Sequence, residues 1–324
     1  MKINNILVAM TMMIPLFSSA SPLTVLASKE AVILELVKAK KMNLAEEAER
    51  IASNANKVGK LPHDELITVP KYKLDAEVSQ SSEFVATFQK TLADSIHADW
   101  QKTAFATGKT ERFKALKVNG KTINSQKDLD QYFAANNIPE DLKKYFRIKD
   151  GQVEEDILNI PNRYLGPNNK AENDASAKVV AVLLSEYIKR GGKTDTESMR
   201  IFMQRASDIV HQQWMLRNSS WAPENQMQPF ARLTPEEAQK DIDMVALGFS
   251  DYAKAQEEFL KARISSMIQS EARLRSQGGL EQADATEKGI RALQSKLEAL
   301  RTQNRILQYK PATAPSTAPP AATR

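Results

Sequence analysis

"ADSIHADW" at 93–100 and "SDIVHQQW" at 207–214 share one spacing, Asp-x-x-His-x-x-Trp, in a chain of 324 residues that holds 3 His and 3 Trp. Spending two of each rare residue type on one spacing points to a helix written twice. The match extends outward from there. At a constant separation of 114 positions, Phe88 meets Phe202, Asp94 meets Asp208, Ile96 meets Val210, His97 meets His211 and Trp100 meets Trp214. Further on, "PNRYLGPNNKAEND" (161–174) aligns with "PFARLTPEEAQKDI" (229–242) at a separation of 68. Here Pro161 meets Pro229, Leu165 meets Leu233, Pro167 meets Pro235 and Asn173 meets Asp241. The first copy is therefore 46 residues longer, and both copies follow one plan: helix, variable loop, Pro-anchored turn, helix.

The periodicity around these blocks gives a mainly α chain. Phe84, Phe88, Leu92, Ile96 and Trp100 lie four apart on one helix, a stripe that drifts around its surface. The extra length of the first copy holds Asn119-Gly120 and Asp150-Gly151, each between short alternating runs, which predicts two hairpins closed by turns with positive φ at both central residues. Asn169 to Arg190 reads as a helix ended by Gly191-Gly192. Thr234 caps and Pro235 opens a helix that runs to Leu247, with Gly248 as an interruption and helix again from Asp251. Upstream, Asn43 and Glu46 form a capping box inside a helical stretch from Lys29 to Lys57. A linker with one short strand is expected from Gly59 to Ser82.

The expected organisation is then a segment of N-terminal helices and linker (29–82), a first module (83–192) with an insertion at about 106–155, and a second module (195–249). A helical hairpin or short coiled coil follows (251–308). In it Ile290, Leu293, Leu297, Leu300 and Leu307 follow heptad spacing with Asn304 in a core slot. A Pro/Ala/Thr-rich tail (309–324) reads as a disordered spacer.

At the start, Lys2, an apolar run from Ile6 to Phe17 and small residues ending at Ala20 or Ala27 follow the order of a secretory signal peptide, 1–20 or as late as 27. The run is shorter than the roughly 20 residues a spanning helix needs, so no transmembrane segment is expected, and the mature chain is expected to be periplasmic or secreted. Zero cysteines exclude disulfides, thiol catalysis and thiolate metal sites. A formal charge of +5 without any run of five or six like charges gives no basis for nucleic-acid binding.

"DIVHQQWMLRNSSWAPENQMQPFARLTPEEAQKDIDMVALG" resembles the ryanodine-receptor repeat (RyR) domain, through His211, Trp214, Trp221, Pro229-Phe230, Leu233, Glu237 and Asp241. Ser220 stands where the family usually has Gly before its second Trp, the following Tyr-Gly is absent, and Ala238 replaces a Lys. The first copy looks like a more divergent member, with His97, Trp100, "DILN" at 156–159, Leu165, Lys170 and Asn173. The resemblance covers about Glu83 to Gly248, roughly half the chain. It implies two tandem RyR-like helical modules that act as interaction modules without established enzymatic activity.

The candidate ligand-binding residues are His211, Trp214, Trp221, Phe230, His97 and Trp100. Asp, His and Trp at i, i+3 and i+6 form an oblique row on a helix. In a core role the Asp accepts from the imidazole while the Trp packs between helices. In a pocket role the Trp stacks on a flat or cationic ligand and the His makes a polar contact. With one His per module and no second ligand at i+4, no metal or cofactor is expected. No catalytic residue is expected either, since nucleophile-elbow, zincin and phosphate-loop patterns are missing. "EED" at 154–156 reads as a solvated edge, and His63 is assigned no role. Two function classes stand: a non-enzymatic exported module that recognises a small molecule or peptide, or a structural or assembly protein that contacts a protein partner through its C-terminal helices. The second leaves an oligomer open.

Overall fold

The computed structural model describes residues 22–54 and 61–308, so the expected leader (1–20) and tail (309–324) lie outside the described residues. The fold is mainly α with a small β insertion. Four helices form its body: α3 (Ser82–Ala106), α6 (Pro167–Lys189), α7 (Thr196–Asn218) and α8 (Pro235–Ser276). Two shorter helices, α1 (Pro22–Lys41) and α2 (Leu44–Asn54), lie against α7 and α6 respectively.

Equivalent helices of the two copies do equivalent things. Ser81 caps α3 with its hydroxyl toward the Phe84 N–H, and Asp195, 114 positions on, caps α7 toward the Ser198 N–H. Pro161 and Pro229 precede matching single turns of 3-10 helix, with φ/ψ of −60°/145° and −51°/142°. Leu165 and Leu233 leave those turns extended, and Pro167 and Pro235 open the closing helices α6 and α8. Each opening helix packs on the closing helix of both copies, α3 on α6 and α8, and α7 on α8 and α6. The core so enclosed includes Phe84, Phe88, Leu92, Val180, Leu184, Tyr187, Phe202, Val245, Phe249 and Tyr252.

Gly248 does not interrupt α8, which runs unbroken for 42 residues. A Cβ there would stand 2.6 Å from Cγ1 of Val180 on α6. Val180 is the residue that aligns with Gly248 in the first copy, so the two closing helices meet at equivalent positions. The glycine serves their close approach, and packing on both sides outweighs its poor helix propensity.

The insertion folds around its own core of Leu116, Ile123, Leu129, Tyr132, Phe146 and Val153. It comprises β1 (Phe113–Ala115), the hairpin of β2 (Lys117–Val118) and β3 (Lys121–Thr122), and α4 (Gln126–Ala135). The short α5 (Glu140–Lys143) and the hairpin of β4 (Phe146–Lys149) and β5 (Gln152–Asp156) complete it. The antiparallel sheet has the order β1-β5-β4. Both expected turns are present, with φ of 50° and 76° at Asn119 and Gly120, and 50° and 72° at Asp150 and Gly151.

The stretch 61–81 contains no strand. Two single helical turns flank an extended run held by side chains of α8 and of α9 (Leu280–Gln308): Gln256 takes the Asp75 N–H and donates to the Lys73 carbonyl, and Asn304 takes the Lys73 N–H at 2.8 Å. α8 turns at Gly278 (φ 80°) into α9, and the two close a seam on each other through Leu260, Ile264, Ile290, Leu297 and Leu300. Leu307, expected in that seam, is exposed.

Candidate functional site

The two histidines are buried by the same geometry. His97 Nε2 lies 3.0 Å from the Ile160 carbonyl, and His211 Nε2 lies 2.8 Å from the Gln228 carbonyl, each the residue before the aligned proline. The Nδ1 atoms meet the aligned positions of the closing helices, Asn173 Nδ2 at 3.1 Å from His97 and Asp241 Oδ2 at 3.0 Å from His211. The Asp of each row, Asp94 or Asp208, is thus not the imidazole's partner as expected. Both ring nitrogens are taken by groups on other elements, and Asp208 accepts from Gln212 one helical turn on.

The second ring partner sets the charge. A carbonyl only accepts, so Nε2–H donates in both modules. Asn173 donates its amide to His97 Nδ1 and to Asn162 Oδ1, leaving that imidazole neutral, and burial holds its pKa below the ordinary value. His211 instead faces two acceptors. Burial disfavours its charged form, but the bond to the Asp241 carboxylate and that group's charge win, so its pKa is raised.

Each Trp stacks beside its His, with ring centroids 5.4 Å apart at 27° for His97–Trp100 and 5.9 Å apart at 18° for His211–Trp214. The outer faces differ. The insertion core and the Arg112 guanidinium, 5.4 Å from the ring centre, cover Trp100. Trp214 packs with Val32 and Leu36 of α1, Met215 and Met227, and meets Trp221 edge-on at 6.3 Å and 75°. Trp221 is 67% exposed. Phe230 is buried between His211 and His63, whose Nε2 donates to the Phe230 carbonyl at 2.9 Å. His63 therefore has a packing role that its local sequence gave no sign of.

Of the candidates, His97, His211 and Phe230 are framework, and Trp100 and Trp214 are half-buried against neighbouring elements. Trp221 alone presents most of its ring to solvent. Between α1, α2 and α7, further along α7 from the tryptophans, lies an open groove of about 800 Å³, lined among others by Val37, Met42, Arg50, Arg205, Asp208 and Ile209. Burial and the charge of Glu35 hold the Asp208 carboxyl above its usual range. Among the described residues no group of three His, Asp or Glu is placed to hold a metal ion.

"EED" is not a solvated edge. Asp156 is buried and accepts from the Arg112 and Leu158 N–H groups, and Glu155 is fully buried with both oxygens on the Gly166 N–H at 3.0 and 2.8 Å. Alternation would have exposed one of the pair, but β5 is the central strand and its other face meets the start of α6. No family model, curated protein or solved structure matches the chain.

Proposed function

We propose that this is a non-enzymatic, exported binding module whose body is a pair of RyR-like repeats and whose α1–α7 seam receives a small molecule or peptide. The observation that carries the reading is Trp221, an exposed indole set edge-on against Trp214 at one end of that seam. Exposed aromatic side chains are common anchors of recognition sites, and the groove lies further along α1 and α7, lined by neither tryptophan. The groove volume falls within the roughly 300–1,000 Å³ typical of ligand sites. Export rests on the order of charged, apolar and small residues at the N-terminus. A second reading, assembly through the α8–α9 hairpin, is favoured by the exposed Ile268 and Leu280 near its tip, and mass in solution decides it.

The test is a thermal-shift screen of the full chain against small molecules and peptides, followed by tryptophan fluorescence titration of each hit. Trp221→Ala is expected to remove the fluorescence response while leaving the melting temperature within about 2 °C, since exposed substitutions usually cost under about 0.5 kcal/mol. Trp214→Ala is expected to cost about 2–4 kcal/mol because it empties a packed site. A hit that binds Trp221→Ala unchanged would refute the site.

A further inference from the structure

A second concave site lies away from the seam, between α8, α9 and the extended run 61–81. Tyr72, Ser250, Lys254, Arg301, Asn304 and Arg305 line an open cleft of about 400 Å³. Its wall is rich in donors that the protein leaves idle. Arg301 uses Nε on Glu257 at 3.2 Å, and neither terminal nitrogen has a partner among the described residues. Lys254 gives one of its three hydrogens to Asp251, and Arg305 meets Glu298 with one nitrogen. The Tyr72 side chain lines the same cleft.

Asn304 makes the strongest case. It is 6% exposed, its Oδ1 is fixed by the Lys73 N–H, and that bond dictates which way the amide points. The Nδ2 group left over is closed off from bulk water and has no acceptor anywhere among the described residues. A buried donor without a partner costs roughly 1–3 kcal/mol, which makes such atoms rare unless something else serves them. Glu257 is the one acidic side chain in the lining, so the arrangement lacks acceptors and offers donors.

We propose that this cleft binds a compact oxyanion, a phosphate or carboxylate group, with Arg301 and Lys254 supplying charge and with Asn304 Nδ2, which the cleft must open slightly to expose, adding a directed hydrogen bond. Arginine's planar fork suits either anion, and the exposed, flexible Lys254 and Arg305 can close over it. The site is independent of the tryptophan seam.

The experiment is isothermal titration calorimetry of the full chain with inorganic phosphate and, separately, with citrate, at fixed ionic strength in chloride. Saturable binding of at least one is expected, and the stronger of the two tells phosphate from carboxylate. Asn304→Asp keeps the acceptor for Lys73 but turns the donor into a second acceptor, and should weaken binding at least tenfold. Arg301→Gln, on a partly exposed side chain, should weaken it similarly, whereas Trp221→Ala should bind as the parent does. Absence of saturable heat with both probes overturns the proposal, as does equal affinity in the parent and both cleft variants.

Discussion

A single atom separates the two modules chemically. Where Asn173 offers His97 a donor, Asp241 offers His211 an acceptor, so burial holds the His97 pKa below its ordinary value while the Asp241 carboxylate raises that of His211. Asp241→Asn should therefore give the second module the first one's chemistry. The His211 pKa is expected to fall from above the ordinary histidine value to below it, as read by NMR titration of the ring protons. In the parent, a raised histidine pKa contributes stability that is complete below the unfolded value of about 6.5 and is lost as pH rises through the folded value. His97 does the reverse, its stabilisation being lost as pH falls through its lowered pKa. The Asn variant should be less stable by about 1–3 kcal/mol, because the new amide can still bond Nδ1 as Asn173 does. Two histidines titrating together in the parent would refute this account.

Between elements, the clasp that joins the insertion to the bundle is Glu155. Its carboxylate takes the Gly166 N–H and the Asn169 side-chain amide at the start of α6, and a Cβ on Gly166 would stand 2.9 Å from it and 2.2 Å from Leu116. Lys114, opposite it in the β1–β5 register, Tyr132 and Lys170 are its titratable neighbours. Burial pushes the Glu155 carboxyl up to about 7, partly opposed by the bonds from Asn169 and Gly166. A raised acid pKa means stability that is complete below about 4.5 and declines as pH rises toward 7. Integrated over that window the decline is roughly 3 kcal/mol. Glu155→Gln removes the titration, so denaturant unfolding across pH 4.5–7 should show a flatter profile than the parent. An unchanged slope would assign the pH dependence elsewhere.

The whole molecule does not divide where the sequence periodicity does. The resemblance ends at about Gly248, yet α8 continues and brings Phe249, Tyr252 and Ala255 into the core enclosed by both copies. Tyr252 meets Phe84 edge-on at 4.9 Å and Phe88 at 5.3 Å. Removing one large buried aromatic costs about 3–5 kcal/mol, and domains carry only about 5–15 kcal/mol in all. A chain cut after Gly248 should lose cooperative thermal unfolding and near-UV dichroism. A chain cut at Gly279, which keeps all three side chains, should retain both. The same continuity closes the heptad seam within the chain, because α8 itself supplies the partner helix for α9.

What the sequence determined by itself is what local rules encode. The duplicated row, the helix opened by Pro235, the Asn-Gly and Asp-Gly turns and the helix ended by Gly191-Gly192 need only a few consecutive residues to specify them and were legible, whereas the first closing helix, read from Asn169, opens at Pro167. The tertiary structure decided whatever depends on a neighbour distant in sequence. It made Asn173 and Asp241, not Asp94 and Asp208, the imidazole partners, and it turned Gly248 from a break into a contact. It also buried Glu155 beneath a helix start that no strand pattern announces, and left Trp221 exposed while the insertion and α1 covered the other two indoles. Periodicity reports which face of an element is apolar. Only packing decides what that face meets, because the same stripe, drifting about 40° every four residues, turns from one core to another within a single helix.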